Sequence, residues 1–376
     1  MRPTYAEINL SNLKYNYLNI RKKVNKKIMA VVKADAYGHG VMETVSTLNS
    51  LGGKKPDYYA VAVLEEAIEL IKLKIKQPVL VFEPLIKDNL EPVFFSNIIP
   101  SVFTNVQLNI LIKGKNKFWS GKNSSKKIKV HVKIDTGMNR LGVKYDEAFS
   151  FIHRLSKNKD FIIDGVYTHF ATSDEKNKDF ANLQLERFKK VIEELKFVGV
   201  NPGIVHAANS GAILDMPDSY FDMVRPGISL YGYYPSLETT ESIKLKPVMS
   251  IISYVASLKE LKPGESISYS RLFFAKRKMR IISVPIGYAD GYNRNLTNKA
   301  KAILNGKVYN QVGRVTMDRI MFDIGNDDVK IGRKIILLGK SNDLKIDAWD
   351  WSKILSTIPY EITCNISKRV PRIYKS

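Results

Sequence analysis

Eight short apolar runs, separated by longer segments of helical character, occupy roughly the first 230 residues of the sequence. Such alternation is typical of βα units arranged around a parallel sheet. Eight units are the number that closes into a (β/α)8 barrel, so the sequence predicts an α/β fold with a TIM-like barrel. The predicted strands are 28–32, 58–63, 78–82, 98–103, 128–134, 161–168, 203–206 and 223–225.

A second kind of sequence pattern begins near residue 245. Short apolar or alternating stretches follow one another there, broken by glycine, proline and asparagine, which is typical of a mainly β domain. A chain of 376 residues also exceeds what one hydrophobic core usually serves. We predict a barrel over 1–240, with about the first ten residues packing against the second domain, and a β-rich domain over 241–376. Its predicted strands include 248–258, 279–285, 301–304 and 334–338.

The net charge of +22 raises nucleic acid as a partner. The lysines are scattered along the chain, with local clusters at 21–27 and 113–129, and no recognisable nucleic-acid motif accompanies them. Solvated surface lysines are therefore favoured and no nucleic-acid partner is expected. The alternative, a DNA-binding protein, predicts an affinity that falls steeply with salt.

The compartment is indicated by cysteine usage and by the absence of long apolar runs. Cys364 is the single cysteine, so no disulfide can form within the chain and a reducing compartment fits best. The segment MRPTYAEINL lacks a secretory pattern, and no apolar run approaches the roughly 18 residues that span a bilayer. We expect a cytoplasmic protein without a membrane partner.

Lys33 directly follows the first apolar run, at the end of a barrel strand where the chemistry of such folds is located. Burial would lower the pKa of this lysine, and a neutral amine can attack an aldehyde cofactor. From position alone, a lysine that reaches solvent is the favoured interpretation. The residues around Lys33 reverse that preference.

The stretch AVVKADAYGHG at 30–40 strongly resembles the cofactor-lysine motif of alanine racemases. The resemblance continues in matching order through both predicted domains. The further motifs are VKIDTGMNRLG at 132–142, THFATSDE at 168–175, HAANSGA at 206–212, VRPGISLYG at 224–232, SYSR at 268–271, PIGYADGY at 285–292, VGRVTMD at 312–318 and IPYEI with ISKRVPR within 358–372.

The resemblance implies a pyridoxal 5'-phosphate enzyme that interconverts L-alanine and D-alanine, supplying D-alanine for peptidoglycan. It further implies a head-to-tail homodimer with shared active sites. Racemisation requires proton transfer on both faces of the α-carbon, and the implied bases are Lys33 and Tyr269 of the partner subunit. His169 is implied to contact that tyrosine and to connect to Arg225.

The resemblance also assigns the cofactor contacts. Arg225 would face the pyridine nitrogen, and because a guanidinium only donates hydrogen bonds, that nitrogen would stay unprotonated. We expect this arrangement to weaken the ring as an electron sink and to keep racemisation ahead of transamination. The implied phosphate contacts are Tyr37, Ser210, Gly227, Ile228 and Tyr360.

The substrate carboxylate would bind Arg140 and the backbone N–H of Met317. Lys133 matches a lysine that many family members carry as an N-carbamate, and a bare ammonium there would repel Arg140. We therefore expect Lys133 to be carbamylated, with an ion pair to Asp135 as the alternative. No metal is implied. The residues expected to narrow the entrance are Asp174, Tyr288, Arg294, Arg314 and Tyr360.

Two other functions share parts of this pattern. A broad-specificity or serine racemase of the same fold would carry most of the motifs, and a substrate panel distinguishes it. Single-barrel proteins that bind pyridoxal phosphate without turnover share the lysine motif but lack the second domain that carries Tyr269.

Overall fold

The computed structural model describes residues 3–85, 90–119 and 124–376 of the chain, so part of the lysine-rich segment 113–129 lies outside the described residues. A first strand, β1 (Tyr5–Asn9), and helix α1 (Leu10–Val24) precede a parallel barrel. Its strands are β2 (Lys27–Val31), β3 (Tyr58–Val61), β4 (Val79–Val81), β5 (Ile98–Val102), β6 (Ile128–Asp135), β8 (Phe161–Tyr167), β9 (Ile204–His206) and β10 (Met223–Val224), with a short β7 (Val143–Lys144) beside β6.

The predicted barrel is confirmed, with strand limits close to those expected from the apolar runs. Neighbouring strands pair in parallel in the order β10-β2-β3-β4-β5-β6-β8-β9. Asp222 joins the two ends of this sheet. Its backbone N–H donates to the Val205 carbonyl (3.0 Å), and its carboxylate accepts from the Val205 N–H (2.8 Å).

Helices connect the barrel strands. In α8, the buried residues Leu185, Phe188 and Ile192 recur at helical spacing, so one apolar face packs onto the barrel. The Thr104 side chain caps α6, where it accepts from the Gln107 backbone N–H (3.3 Å). The helices after α1 are α2 (Lys33–Gly38), α3 (Val41–Asn49), α4 (Leu64–Lys72), α5 (Glu91–Phe95), α6 (Asn105–Phe118), α7 (Tyr145–Ser156), α8 (Asp179–Phe197), α9 (Ser210–Asp215), α10 (Ala348–Leu355) and α11 (Pro359–Cys364).

The second domain is mainly β, as predicted. Its large sheet has the order β12-β15-β18-β17-β16-β19-β11-β1-β21, with β20 beside β19, and β13 pairs with β14 in a separate hairpin. The strands are β11 (Met249–Tyr254), β12 (Ser257–Leu261), β13 (Ser266–Ile267), β14 (Phe273–Phe274), β15 (Met279–Val284), β16 (Lys301–Leu304), β17 (Lys307–Gln311), β18 (Ile320–Gly325), β19 (Lys334–Ser341), β20 (Leu344–Ile346) and β21 (Arg372–Lys375).

Two features of this sheet bear on chain organisation. Strand β1 pairs antiparallel with β11 and parallel with β21, so residues 5–9 belong to the sheet of the second domain. The predicted stretch 248–258 forms two strands, because Val255 bonds to the Arg333 carbonyl (2.9 Å) and Ala256 to the Ser283 carbonyl (2.8 Å). The division at 240/241 stays a prediction. In the described parts of the chain, no helix is both long and apolar enough to cross a membrane.

Candidate active site

A cavity of about 340 Å³ opens at the carboxyl ends of the barrel strands. Most of the site residues predicted on the barrel line it, although they come from distant parts of the chain. They are Lys33, Tyr37, Lys133, Arg140, His169, Ser210, Arg225, Gly227 and Ile228, joined by Tyr360 from α11.

The short segment α2, which begins at Lys33, is a left-handed turn. The φ angles of Ala34 to Tyr37 lie between 51° and 55°, a conformation that costs L-residues roughly 1–2 kcal/mol each. Gly38 continues the turn with φ 81°, and a Cβ at this position would lie 2.2 Å from the Thr363 carbonyl oxygen. Only glycine fits there without moving α11. The turn brings Lys33 and Tyr37 together at the cavity wall.

The cavity is strongly basic. Burial, reinforced by the nearby charge of Arg140, lowers the pKa of Lys33. Burial and the charges of Arg140 and Arg225 lower the pKa of Lys133 to about 8. Among the described residues that line the cavity, Glu83 is the only carboxylate against four cationic side chains. This electrostatic balance favours an anionic ligand and a lysine amine that deprotonates easily.

One end of the cavity presents hydroxyl and amide groups at close quarters. The Gly227 N–H donates to Ser210 Oγ (3.0 Å), which also lies 3.0 Å from Ser229 Oγ. A Cβ on Gly227 would lie 2.5 Å from Tyr37 Oη and 3.9 Å from Ser210 Oγ. The missing side chain therefore leaves a cradle between these donors, and such a cradle suits a phosphate group.

Arg225 is buried, with only 2% of its surface exposed, and hydrogen bonds hold its guanidinium in place. Its Nη2 donates to the carbonyls of Thr168 (2.7 Å) and Ala207 (2.8 Å) and lies 3.2 Å from His169 Nδ1. Its Nη1 lies 2.9 Å from His206 Nδ1. Burial lowers the pKa of Arg225 to about 10, so the guanidinium keeps its charge at neutral pH.

His169 is a neutral imidazole. Burial and the adjacent Arg225 charge hold the pKa of His169 well below its ordinary value. The two Nη2 protons of Arg225 are directed at the Thr168 and Ala207 carbonyls, so the longer contact to His169 Nδ1 is at most a shared hydrogen bond. Because a guanidinium nitrogen cannot accept, this contact favours the tautomer of His169 with its single proton on Nε2. That N–H is left available for a further acceptor.

Tyr167 is a site residue that the sequence analysis did not single out. Its ring lines the cavity, stacks on His206 at 4.9 Å between centroids and 8° between planes, and lies 5.4 Å from the Arg225 guanidinium. The signal was its place at the end of a predicted strand, two residues before His169.

The remaining predicted residues do not line the barrel cavity of their own chain. Asp174 lies on the loop after β8, where its carbonyl accepts from Ser236. Tyr269 and Met317 are 71% and 51% exposed. On the second domain the structure places Tyr269, Tyr288, Arg294, Arg314 and Met317.

Tyr269 is presented outward by an unusual backbone. It occupies a 3-10 turn between β13 and β14. The neighbouring Ser268, Ser270 and Arg271 have φ angles of 65°, 62° and 51°. Three non-glycine residues in the left-handed region around one exposed tyrosine are strained backbone of the kind that clusters at functional sites. Over the described ranges, no group of three or more His, Cys, Asp or Glu side chains is arranged to hold a metal ion.

Comparison with known proteins agrees with this geometry. Residues 8–235 match the family model described as alanine racemase, N-terminal domain, and residues 248–374 match that of the C-terminal domain. The alanine racemase of Clostridium novyi is 42% identical over 100% of this chain and 96% of its own, and alanine racemase 2 of Caldanaerobacter subterraneus is 43% identical over 100% and 95%. The alanine racemase structure of Clostridium difficile 630 matches with a TM-score of 0.90 and 37% identity, over 100% of this chain and 96% of that one.

The barrel with its half-buried Lys33, followed by a strand-rich second domain, defines a class of pyridoxal-phosphate-dependent isomerases. Within this class, the chain belongs to the alanine racemase family.

Proposed function

We propose that this protein interconverts L-alanine and D-alanine with Lys33 and Tyr269 of the partner subunit as its two bases. The observation that carries the proposal is the basic cavity around Lys33 at the end of the barrel, together with the exposed Tyr269 on the second domain. A relative, the alanine racemase of Bacillus anthracis, has been solved with bound L-Ala-P, at 34% identity and a TM-score of 0.88 over 100% of this chain and 96% of that one.

The residues present fit pyridoxal 5'-phosphate. Lys33 would hold it covalently, Arg225 would face the ring nitrogen, and the cradle at Gly227 would receive the phosphate with donors from Tyr37 and Ser210. Ile228 and Tyr360 complete that end of the cavity. When bound, the cofactor acidifies the α C–H of the amino acid by accepting electron density.

Proton transfer on two faces requires two groups. Burial and the charge of Arg140 lower the pKa of Lys33 and so increase the share of its neutral amine, and this side chain can take or return a proton on the cofactor side. Tyr269 of the partner subunit would serve the opposite face. The Nε2–H of neutral His169 would donate to that phenolic oxygen and so stabilise its deprotonated form.

A second copy of the chain is needed because Tyr269 is 71% exposed and does not line the cavity of its own barrel. Leu272 and Phe274, in the same hairpin region, are 45% and 48% exposed, which leaves an apolar surface around the tyrosine. Such patches are typical of protein contacts. We propose a homodimer in which this hairpin docks over the cavity of the other subunit. Tyr288, Arg294, Arg314 and Met317 would then reach the partner's entrance.

Lys133 is proposed to be carbamylated. Its neutral amine, available because the pKa is lowered to about 8, would add to CO2 with release of one proton, and the product is an anion. That anion would lie among the cations that repel a bare ammonium, and it would orient Arg140 toward the substrate carboxylate. The backbone N–H of Met317 would assist from the other chain.

We propose that the protein supplies D-alanine for peptidoglycan, because the family resemblance connects this product with peptidoglycan synthesis. The free Cys364 fits the reducing cytoplasm expected from the sequence.

The direct test combines cofactor binding with turnover. The purified protein, supplied with pyridoxal phosphate, should show the visible absorbance of a lysine-bound cofactor and should convert L-alanine into D-alanine. Both properties should be lost in Lys33→Ala and kept in Lys27→Ala, a control at the exposed opposite end of β2. Absorbance without conversion would favour a cofactor-binding protein without turnover, and faster conversion of serine would favour the serine-racemase alternative.

A further inference from the structure

A line of hydrogen bonds continues from Arg225 into the interior of the barrel. Arg225 Nη1 lies 2.9 Å from Nδ1 of His206, and His206 Nε2 lies 2.9 Å from Nδ1 of His131. His131 Nε2 lies 3.3 Å from Oδ2 of Asp164. Both imidazoles are fully buried.

All of these hydrogen bonds run in the same direction, from a donor nearer Arg225 to an acceptor nearer Asp164. Because arginine only donates, His206 must accept at Nδ1 and carry its proton on Nε2. His131 then accepts at Nδ1 and donates its own Nε2 proton to Asp164. Burial lowers the pKa of both histidines, so each ring is neutral and holds one proton.

Asp164 enters the barrel through a β-bulge. In the pairing of β6 with β8, Val130 lies opposite Ile163 whereas His131 lies opposite Gly165, so Asp164 is the extra residue. A bulge re-aims a side chain at a chosen neighbour. Here it brings the Asp164 carboxylate to His131.

The Asp164 carboxylate is ionised. Burial alone would raise its pKa, but the donated hydrogen bonds of His131 and Tyr58 (3.0 Å to Tyr58) and the charge of Lys129 (3.4 Å) lower the pKa to about 2. The carboxylate can therefore only accept, which fixes the proton of His131 on Nε2.

The surrounding residues leave room for the two rings. A Cβ on Gly165 would lie 2.6 Å from His131 Cε1, so a side chain there would displace the imidazole. Tyr167 stacks on His206 from the cavity side. Gly165 and Tyr167, both on β8, thus form the space that the two imidazole rings occupy.

We propose that Asp164 and His131 are positioning residues, which hold His206 in the tautomer that accepts from Arg225. In the other tautomer, His206 would place an N–H against the guanidinium, and two donors would face each other. Among the described residues, no carboxylate contacts Arg225 directly, so its orientation depends on such neutral acceptors. The catalytic consequence, alignment of the arginine toward the cofactor ring, rests on the proposed function.

The experiment is ¹⁵N NMR of histidine-labelled protein, loaded with cofactor, because the chain has only five histidines. In the unchanged protein, His131 and His206 should each show a protonated Nε2 and an unprotonated Nδ1, with scalar coupling across the His206–His131 hydrogen bond. In Asp164→Ala the coupling and the single tautomer should be lost. The kcat for alanine should fall about tenfold, with little change in KM, which is the lower end of the loss seen when a partner that orients a metal-bound histidine is removed.

Two further variants make the test decisive. Gly165→Ala leaves the carboxylate in place, but its Cβ would lie 2.6 Å from His131 Cε1 and 2.7 Å from the Ile204 carbonyl oxygen, so it displaces the His131 ring and also crowds the neighbouring strand. It should reproduce the loss even if Asp164→Ala fails to fold. Lys159→Ala removes an exposed lysine from the turn before β8, outside the hydrogen-bond chain, and should change neither spectrum nor kcat. The proposal is overturned if Asp164→Ala and Gly165→Ala keep the tautomers and the kcat, or if Lys159→Ala lowers kcat equally. Absence of racemisation in the unchanged protein would instead refute the proposed function, while the spectra would still decide the hydrogen-bond chain.

Discussion

Replacing Gly227 by alanine tests the proposed phosphate cradle at one atom. The new Cβ would lie 2.5 Å from Tyr37 Oη, whereas ordinary contact begins at 3.4 Å, so the two groups must separate by about 0.9 Å. The φ of Gly227, −115°, lies outside the left-handed region that favours glycine, although its ψ of −99° is uncommon for residues that carry a Cβ. The substitution therefore acts chiefly through the new contact with Tyr37 at the cradle.

The expected effect follows from the loss of one hydrogen bond to an anion. A hydrogen bond to a charged group contributes about 1.5–3 kcal/mol. The dissociation constant for pyridoxal phosphate should therefore rise roughly 10- to 150-fold. Tyr37→Phe should weaken binding by a similar factor, and the double variant should be much less than additive because both changes remove the same contact.

The assay is a titration of cofactor-free protein with pyridoxal phosphate, followed by absorbance. Gly53→Ala is the matched control, since a Cβ there meets nothing within 4 Å, and it should bind as the unchanged protein does. A dissociation constant for Gly227→Ala within twofold of the unchanged protein would refute the cradle, as would full additivity with Tyr37→Phe.

Three further outcomes are expected. Tyr360→Ala should admit serine or larger amino acids, and an unchanged ratio of kcat/KM for alanine and serine would argue against a steric gate. Lys133→Met should stabilise the fold by up to about 3 kcal/mol in CO2-free buffer below pH 8, because the lysine pKa falls from 10.5 in the unfolded chain to about 8 in the folded one. This gain in the free energy of unfolding should fade as the pH rises toward 10.5. Equal denaturant curves of the two proteins at pH 7 would contradict it. Arg225→Lys should destabilise by about 2–4 kcal/mol in urea, since the carbonyls of Thr168 and Ala207 lose donors while buried; an unchanged midpoint would contradict this expectation.

The barrel could be predicted from sequence because its strands are buried on both faces and read as continuous apolar runs. The pairing of β1 with β11 and β21 joins segments more than 240 residues apart, and no local pattern encodes which partner a strand selects. The split of 248–258 into β11 and β12 has the same origin, since it depends on backbone bonds to distant strands.

For the site, the motifs placed most barrel residues correctly around one cavity. The left-handed turn from Ala34 to Tyr37 was not foreseen, because alanine and tyrosine rarely adopt positive φ. Contacts with distant residues accompany the turn, among them the hydrogen bond from the Ala34 N–H to Glu66 and the stacking of Tyr37 on Tyr231. Asp164 was also missed. Its role depends on a register shift of one residue between β6 and β8, which is visible only in the folded sheet.

The account depends most on a site assembled from two chains, and mixed dimers test that directly. Lys33→Ala and Tyr269→Phe, each inactive alone, should be co-expressed and purified together. A mixed dimer has one site with both bases intact, and random pairing makes half of the dimers mixed, so about a quarter of the unchanged activity should return. Activity no greater than the sum of the two separate variants would contradict shared sites built from Lys33 and Tyr269.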